Sequence, residues 1–180
     1  MGAQGGGHAS DPLPRCRGQE GSRVRLKPMT ETACEDYLAG AIKHYADEHV
    51  RSGRWSPEDA YVQAEKEFAE LLPDGTHTAG QYLLTLVDET AGTEVGMLWY
   101  GLREEMGVRE AWVWDFNVAP SYRRQGYGRQ ALAALEQHVR ARGLERISLH
   151  VFGHNKAARA LYERMGYFPT NIVMSKTLPG

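Results

Sequence analysis

Between Ala111 and Arg142 an alternating segment runs into a loop with two glycines and then into an amphipathic helix. Ala111 to Val118 has the period of a strand: Trp112, Trp114, Phe116 and Val118 are expected on one face, Val113, Asp115 and Asn117 on the other. Ala131, Leu132, Leu135, His138 and Val139 then recur at helical spacing until Gly143 ends the run. Arg146 to Phe152 reads as the next strand. Strand, helix and strand in this order make a right-handed crossover between parallel strands, which commits the chain to the α/β class.

The flanking segments supply the other elements. A short strand, Val24 to Lys27, is closed by Pro28, and Thr30 can cap a helix carrying Leu38, Ile42, Tyr45 and His49 on one face. Ser56, Pro57 and Asp59 start a second helix, with Ala60, Ala64, Phe68, Leu71 and Leu72 at helical spacing before Pro73, Asp74 and Gly75 stop it. Gln81 to Val87 and Val95 to Leu102 read as antiparallel strands joined through a charged, glycine-containing loop. Asn155 caps a further helix with Ala158, Leu161, Tyr162 and Met165, closed by Gly166, and Ile172 to Leu178 reads as a final strand.

With 180 residues and 42% hydrophobic content the chain can bury one substantial core, assigned to a single domain over residues 23–180. Residues 1–22 are rich in Gly and poor in large apolar side chains, too little to offset the entropy of ordering, and are expected to form a flexible tail. A net charge of −2 gives no reason to expect nucleic acid or a membrane surface as partner. No apolar run approaches the roughly 20 residues of a membrane-spanning helix. Cys16 and Cys34 form neither a disulfide framework nor a metal-ligand spacing, which suits a reducing cytoplasm. None of His44, His49, His138, His150 and His154 falls in a recognised metal-binding pattern, so no metal is expected.

The segment Arg123, Arg124, Gln125, Gly126, Tyr127, Gly128 lies where a strand ends and a helix begins, and unpaired N–H groups and the helix dipole both favour an anion there. The glycines allow close approach of the backbone, though they equally suit a tight turn with solvated arginines. Gly126, Gly128 and Ala131 also satisfy the dinucleotide pattern G-x-G-x-x-[GA]. That pattern needs an acid after the next strand, where this chain has Phe152, Gly153 and His154. A nucleoside-triphosphate loop would need Gly-Lys-Ser or Gly-Lys-Thr, and neither follows.

Val118 through Gly128 resembles the R-x-x-G-x-G acyl-CoA motif of the GNAT N-acetyltransferase superfamily, and Asn155, Ala158, Leu161, Tyr162 and Gly166 resemble its N-x-x-A-x-x-L-Y-x-x-x-G block. The resemblance implies a central mixed, mostly antiparallel sheet with splayed parallel strands 4 and 5, flanked by helices on both faces. It implies acetyl-CoA as co-substrate and an amine as acceptor; a monomer or homodimer is expected. By resemblance, Phe116, Asn117 and Val118 contact the pantetheine arm, while Arg123, Arg124, Gln125, Gly126, Tyr127, Gly128 and Arg129 wrap the pyrophosphate. Six arginines between residues 123 and 146, against two glutamates, provide the local positive charge that ligand needs. Asn155 and Ala158 are implied in cofactor binding as well, although Asn155 reads equally as a plain helix cap.

Tyr162 is implied as the group that meets the CoA sulfur, as general acid or hydrogen-bond donor, with a core aromatic as the alternative. Asp115 is the candidate base on the central strand, with a purely structural charge as the alternative; many relatives carry their carboxylate nearer the strand's start, where this chain has Trp112. The acceptor implied is a small-molecule amine or a protein N-terminus or lysine. A CoA-binding regulatory domain without turnover, and a dinucleotide oxidoreductase, are the competing readings.

Overall fold

The computed structural model describes residues 23–105, 107–174 and 176. Five strands, β1 (Val24–Pro28), β2 (Gln81–Asp88), β3 (Glu94–Glu105), β4 (Val108–Val118) and β5 (Ile147–Leu149), form one sheet in sequence order. The first four pair antiparallel and β5 joins β4 in parallel. Helices α1 (Glu31–Arg51) and α2 (Ala60–Leu71) cover one face; α3 (Tyr127–Arg140) and α4 (Lys156–Arg164) cover the other. The expected α/β mixed sheet, mostly antiparallel with one parallel pair, is therefore the observed one.

Local chemistry accounts for the helix boundaries. The Thr30 hydroxyl accepts from Ala33 N–H at 3.2 Å and caps α1. Ahead of α2, Ser56 and Asp59 bond reciprocally, the Ser56 hydroxyl accepting from Asp59 N–H at 3.3 Å. Two cores result. On the α3 side Leu84, Leu86, Leu98, Tyr100 and Val113 meet Ala131, Leu132 and Leu135. On the other, Leu83 and Trp99 meet Cys34 of α1 and Phe68 of α2.

Four expectations need correction. The alternation of β4 breaks at Trp114: Trp99 of β3 faces Asp115 but its neighbour Tyr100 faces Val113, so Trp114 is the extra residue of a β-bulge. Val113, Phe116 and Val118 consequently share the α3-side core, whereas Asp115 turns toward α1. The strand expected from Arg146 to Phe152 is only three residues long. Ile172 to Met174 are exposed and form no strand; Ser175, Thr177 and Leu178 of that expected strand, like the tail of residues 1–22, lie outside the described residues. The β3–β4 hairpin is longer than expected: it continues through Arg103 opposite Glu110 and Glu104 opposite Arg109, charged positions that show no apolar alternation.

Gly96 is demanded by packing. A Cβ there would overlap the Asn117 carbonyl oxygen and touch Val118 Cα, so only glycine lets β3 lie this close to the end of β4. Gly96→Ala is expected to cost about 3 kcal/mol, as overpacking against backbone does, and a denaturant titration checks it.

Two histidines record burial as a pH dependence. His49 is buried against Tyr45 and Trp55, and His138 packs edge-on to Tyr82 and Tyr100. Burial first, with Arg54 near His49 and Arg142 near His138 second, holds both imidazoles below their ordinary range. The unfolded chain then takes up protons before the folded one. Stability should be complete above about pH 6.5 and fall below it until the folded-state values are reached. Melting temperatures measured from pH 7.5 down to pH 5 are expected to show that decline, with a shallower slope in His138→Gln.

Candidate active site

β4 and β5 pair only at Ala111–Ile147, Trp112–Ser148 and Val113–Leu149. Beyond Val113 the two strands part, leaving the edge of residues 114–118 without a β5 partner, while residues 115–118 remain paired to β3. Phe116, Asn117 and Val118, the expected pantetheine contacts, all lie along this unpaired edge.

A 3-10 turn at Pro120–Tyr122 leads from β4 into the glycine loop. Arg124 adopts φ 63° and Gly126, the residue before α3, φ 89°. The left-handed region costs an L-residue roughly 1–2 kcal/mol, so Arg124 holds a strained conformation inside this loop. The consequence is a run of outward N–H groups. Among the described residues none of the N–H groups of residues 124–129 donates a hydrogen bond, whereas Tyr122 and Arg123 before them and Gln130 after them all do. Six successive N–H groups without acceptors at a helix N-terminus are suited to receive an anion.

Side chains hold this loop in place. Arg123 Nε donates to the Val118 carbonyl at 2.8 Å and Nη2 to Asn117 Oδ1 at 3.0 Å. Its guanidinium therefore clamps the end of β4; Arg124 and Arg129 are exposed. Gln125 donates to the Ser121 carbonyl at 2.8 Å. Tyr127 reaches away from the loop to donate to Asp88 Oδ2 at 2.5 Å, while Asp88 Oδ1 accepts from Thr90 and Ala91 N–H groups. The Tyr127 phenol and these N–H groups hold the Asp88 carboxyl below the usual range. Gly128 brings α3 against α4: a Cβ there would sit 3.0 Å from Leu161 Cδ2.

Across the gap, Asn155 Oδ1 accepts from Ala158 N–H at 3.1 Å, so both residues take part in the cap of α4. Tyr162 is half-buried beside Tyr167, and burial together with the nearby Asp115 charge pushes its phenol up to about 12. Asp115, turned by the bulge, accepts from Tyr37 Oη of α1 at 2.9 Å, and burial raises its carboxyl despite that bond and the Phe116 N–H. Tyr162 and Asp115, 47 positions apart in sequence, are thus electrostatic neighbours.

Several site features were not read from the sequence. Tyr37 and Asp88 carry no local motif, and only the tertiary fold brings each to its partner. The same holds for His154, whose Nε2 lies 2.8 Å from Glu48 Oε2 of α1 and ties that helix to the segment leading into α4. Among the described residues no group of three or more His, Cys, Asp or Glu side chains is arranged to hold a metal ion, and no helix is long and apolar enough to cross a membrane.

A parted parallel pair with an anion loop at its mouth is the architecture of an acyltransferase that works from a CoA thioester. Residues 38–167 match the Acetyltransferase (GNAT) family, and the chain belongs to that family. It is 43% identical to the uncharacterized N-acetyltransferase YycN of Bacillus subtilis, over 86% of this chain and 99% of that one. The crystal structure of YycN superposes with a TM-score of 0.81 at 42% identity, covering 87% of this chain and 99% of that one. A mycothiol acetyltransferase of Propionibacterium freudenreichii is 35% identical over 71% of this chain, which spans 38% of that longer protein. The chain is an N-acetyltransferase by these relationships, and family membership implies acetyl-CoA as its donor.

The loop's backbone conformation carries a direct expectation. Gly126→Ala leaves space for the methyl group but forces an L-residue to φ 89°, at about 1–2 kcal/mol of stability. KM for acetyl-CoA should rise severalfold with a smaller change in kcat, measured by thiol release at saturating acceptor.

Proposed function

We propose that this enzyme transfers the acetyl group of acetyl-CoA to a primary amine by direct attack in a ternary complex. The observation that carries this reading is a run of six N–H groups without acceptors at the start of α3, beside the parted strands, with Tyr162 and Asp115 as electrostatic neighbours. In this reading residues 23–180 act as one acyltransferase domain. The N–H groups of Arg124 through Arg129, around Gly126 and Gly128, hold the pyrophosphate, and the Arg124 and Arg129 heads add charge. Phe116, Asn117 and Val118 border the pantetheine arm, with Asn155 and Ala158 on the opposite wall. Arg123, Gln125 and Tyr127 contribute through the shape they impose on the loop.

The amine attacks the thioester carbonyl, an oxyanion develops beside the free edge of β4, and the thiolate leaves. Tyr162, at about 12, is a far weaker acid than a thiol near 8.5, so its contribution is a hydrogen bond to the departing sulfur. Asp115 takes the amine's proton. Burial that raises its carboxyl brings it closer in proton affinity to the amine it serves.

The acceptor is a small-molecule amine or a protein N-terminus or lysine. Likeness to mycothiol acetyltransferases favours the small molecule. Charge distribution favours a cation: residues 31–80 hold eleven Asp and Glu against four Lys and Arg, a segregation that the near-zero net charge conceals. A panel of amines assayed with acetyl-CoA by free-thiol release tests the reaction. Tyr162→Phe is expected to lower turnover about 10²-fold, and wild-type turnover in that variant would refute the role. Asp115→Asn should abolish the acid limb of the pH–rate profile; an unchanged profile excludes Asp115 as base.

A further inference from the structure

Asp115 is approached from every element around it. From α1 the Tyr37 hydroxyl donates to its Oδ2 at 2.9 Å, and His44, seven residues and two turns further along, adds an exposed imidazole whose charge is felt at the carboxylate. From α4 comes Tyr162, from its own strand the Phe116 N–H, and opposite it on β3 lies the apolar Trp99. Tyr37 is the one side chain among these whose hydrogen bond to the carboxylate is formed in the structure.

A carboxyl turned into such a place meets two requirements that conflict. It must be partly dehydrated to attract a proton, and it must stay ionised and correctly aimed to receive one. Tyr37 reconciles them. Its ring packs with Cys34, Leu38 and the α1-side core, so the hydroxyl is delivered from a fixed position. Burial first, then the Asp115 charge, holds the phenol far above its ordinary range, so it remains a donor at every working pH.

We propose that Tyr37 is a positioning residue of the acid–base machinery, fixing Asp115 in the orientation and charge state in which it receives the acceptor's proton. Helix α1 is then part of the catalytic centre. During the step an N–H bond of the acceptor breaks and an O–H bond forms on Asp115, while Tyr37 keeps its own proton. The inference rests on Asp115 serving as the base.

A bond that merely stapled α1 to β4 would affect stability alone, so the test reads proton affinity. The Asp115 carboxyl is titrated by 13C NMR in the full chain, with Asp115→Asn assigning the signal, in wild type and in Tyr37→Phe, which keeps the ring. Loss of a hydrogen bond to the charged form should move the midpoint up by about one pH unit. The acid limb of kcat/KM, for whichever amine the panel identifies, should move with it at unchanged KM for acetyl-CoA. A midpoint that stays in place, or a limb that does not follow it, overturns the role of Tyr37. Fluorotyrosine incorporated into the wild-type chain gives a second reading without removing a group: a stronger donor should shift the midpoint down, and no shift counts against the role. Undiminished turnover in Asp115→Asn would overturn the base assignment and this inference together, an outcome that the titration distinguishes from failure of Tyr37 alone.

Discussion

Trp114 is the residue of β4 that finds no partner on β3, and the offset it introduces reaches every part of the site. Before it, Val113 points into the core under α3; after it, Phe116 and Val118 do so again, so two consecutive positions, 114 and 115, are given to the opposite side. Trp114 lies across Gly101, where a Cβ would stand 2.6 Å from its indole nitrogen. Asp115 is delivered to Tyr37. The bulge also coincides with the last contact between β4 and β5, since a strand that bends and twists toward β3 cannot keep its ladder with the strand on its other side. The gap in which the chemistry is proposed and the carboxylate that faces it have one origin.

The loop that closes the gap is held by its neighbours rather than by its own geometry. Arg124 in the left-handed region and six unpaired N–H groups are unfavourable features in the absence of an anion. Opposing them, Arg123 clamps both Asn117 and Val118, and Tyr127 is anchored on the β2–β3 hairpin through Asp88. Gly96, by letting β3 press against Asn117, fixes the strand end to which Arg123 is attached. Pre-formed donors need not reorganise when an anion arrives, which is where such a loop gains affinity.

What was legible in the sequence followed from short-range regularities. Helical spacing in Leu132, Leu135 and Val139, the caps at Thr30 and Asn155, and the glycine pair at 126 and 128 are all decided within a few residues, and each element formed as expected. The bulge was invisible because Trp112, Trp114, Phe116 and Val118 satisfy a perfect alternation, and only the register against β3 breaks it. Tyr37 and Asp88 were missed because nothing local distinguishes them from other half-buried polar residues on a helix and a hairpin. The extension of β3 and β4 beyond Leu102 was missed because Arg103, Glu104, Arg109 and Glu110 are all charged and show no apolar alternation, so only the register across the two strands reveals it.

The two halves of the proposed reaction make unequal demands, and the site's electrostatics match the inequality. A thiol near 8.5 departs as thiolate at little cost, so the leaving group needs no strong acid. Freeing a lysine-like amine near 10.4 at neutral pH costs about 4.6 kcal/mol, and an α-amine near 7.8 about 1 kcal/mol. The same partial dehydration acts on both candidate groups. It pushes Tyr162 up to about 12, where it serves only as a donor, and it raises Asp115, where it strengthens a base. Burial thus weakens the group from which little is asked in the proposed reaction and strengthens the one from which more is asked. Because the carboxylate's charge itself helps to raise the phenol, the two titrations are coupled: in the proposed reaction, uptake of the acceptor's proton by Asp115 would remove that charge and make Tyr162 a better donor toward the departing sulfur.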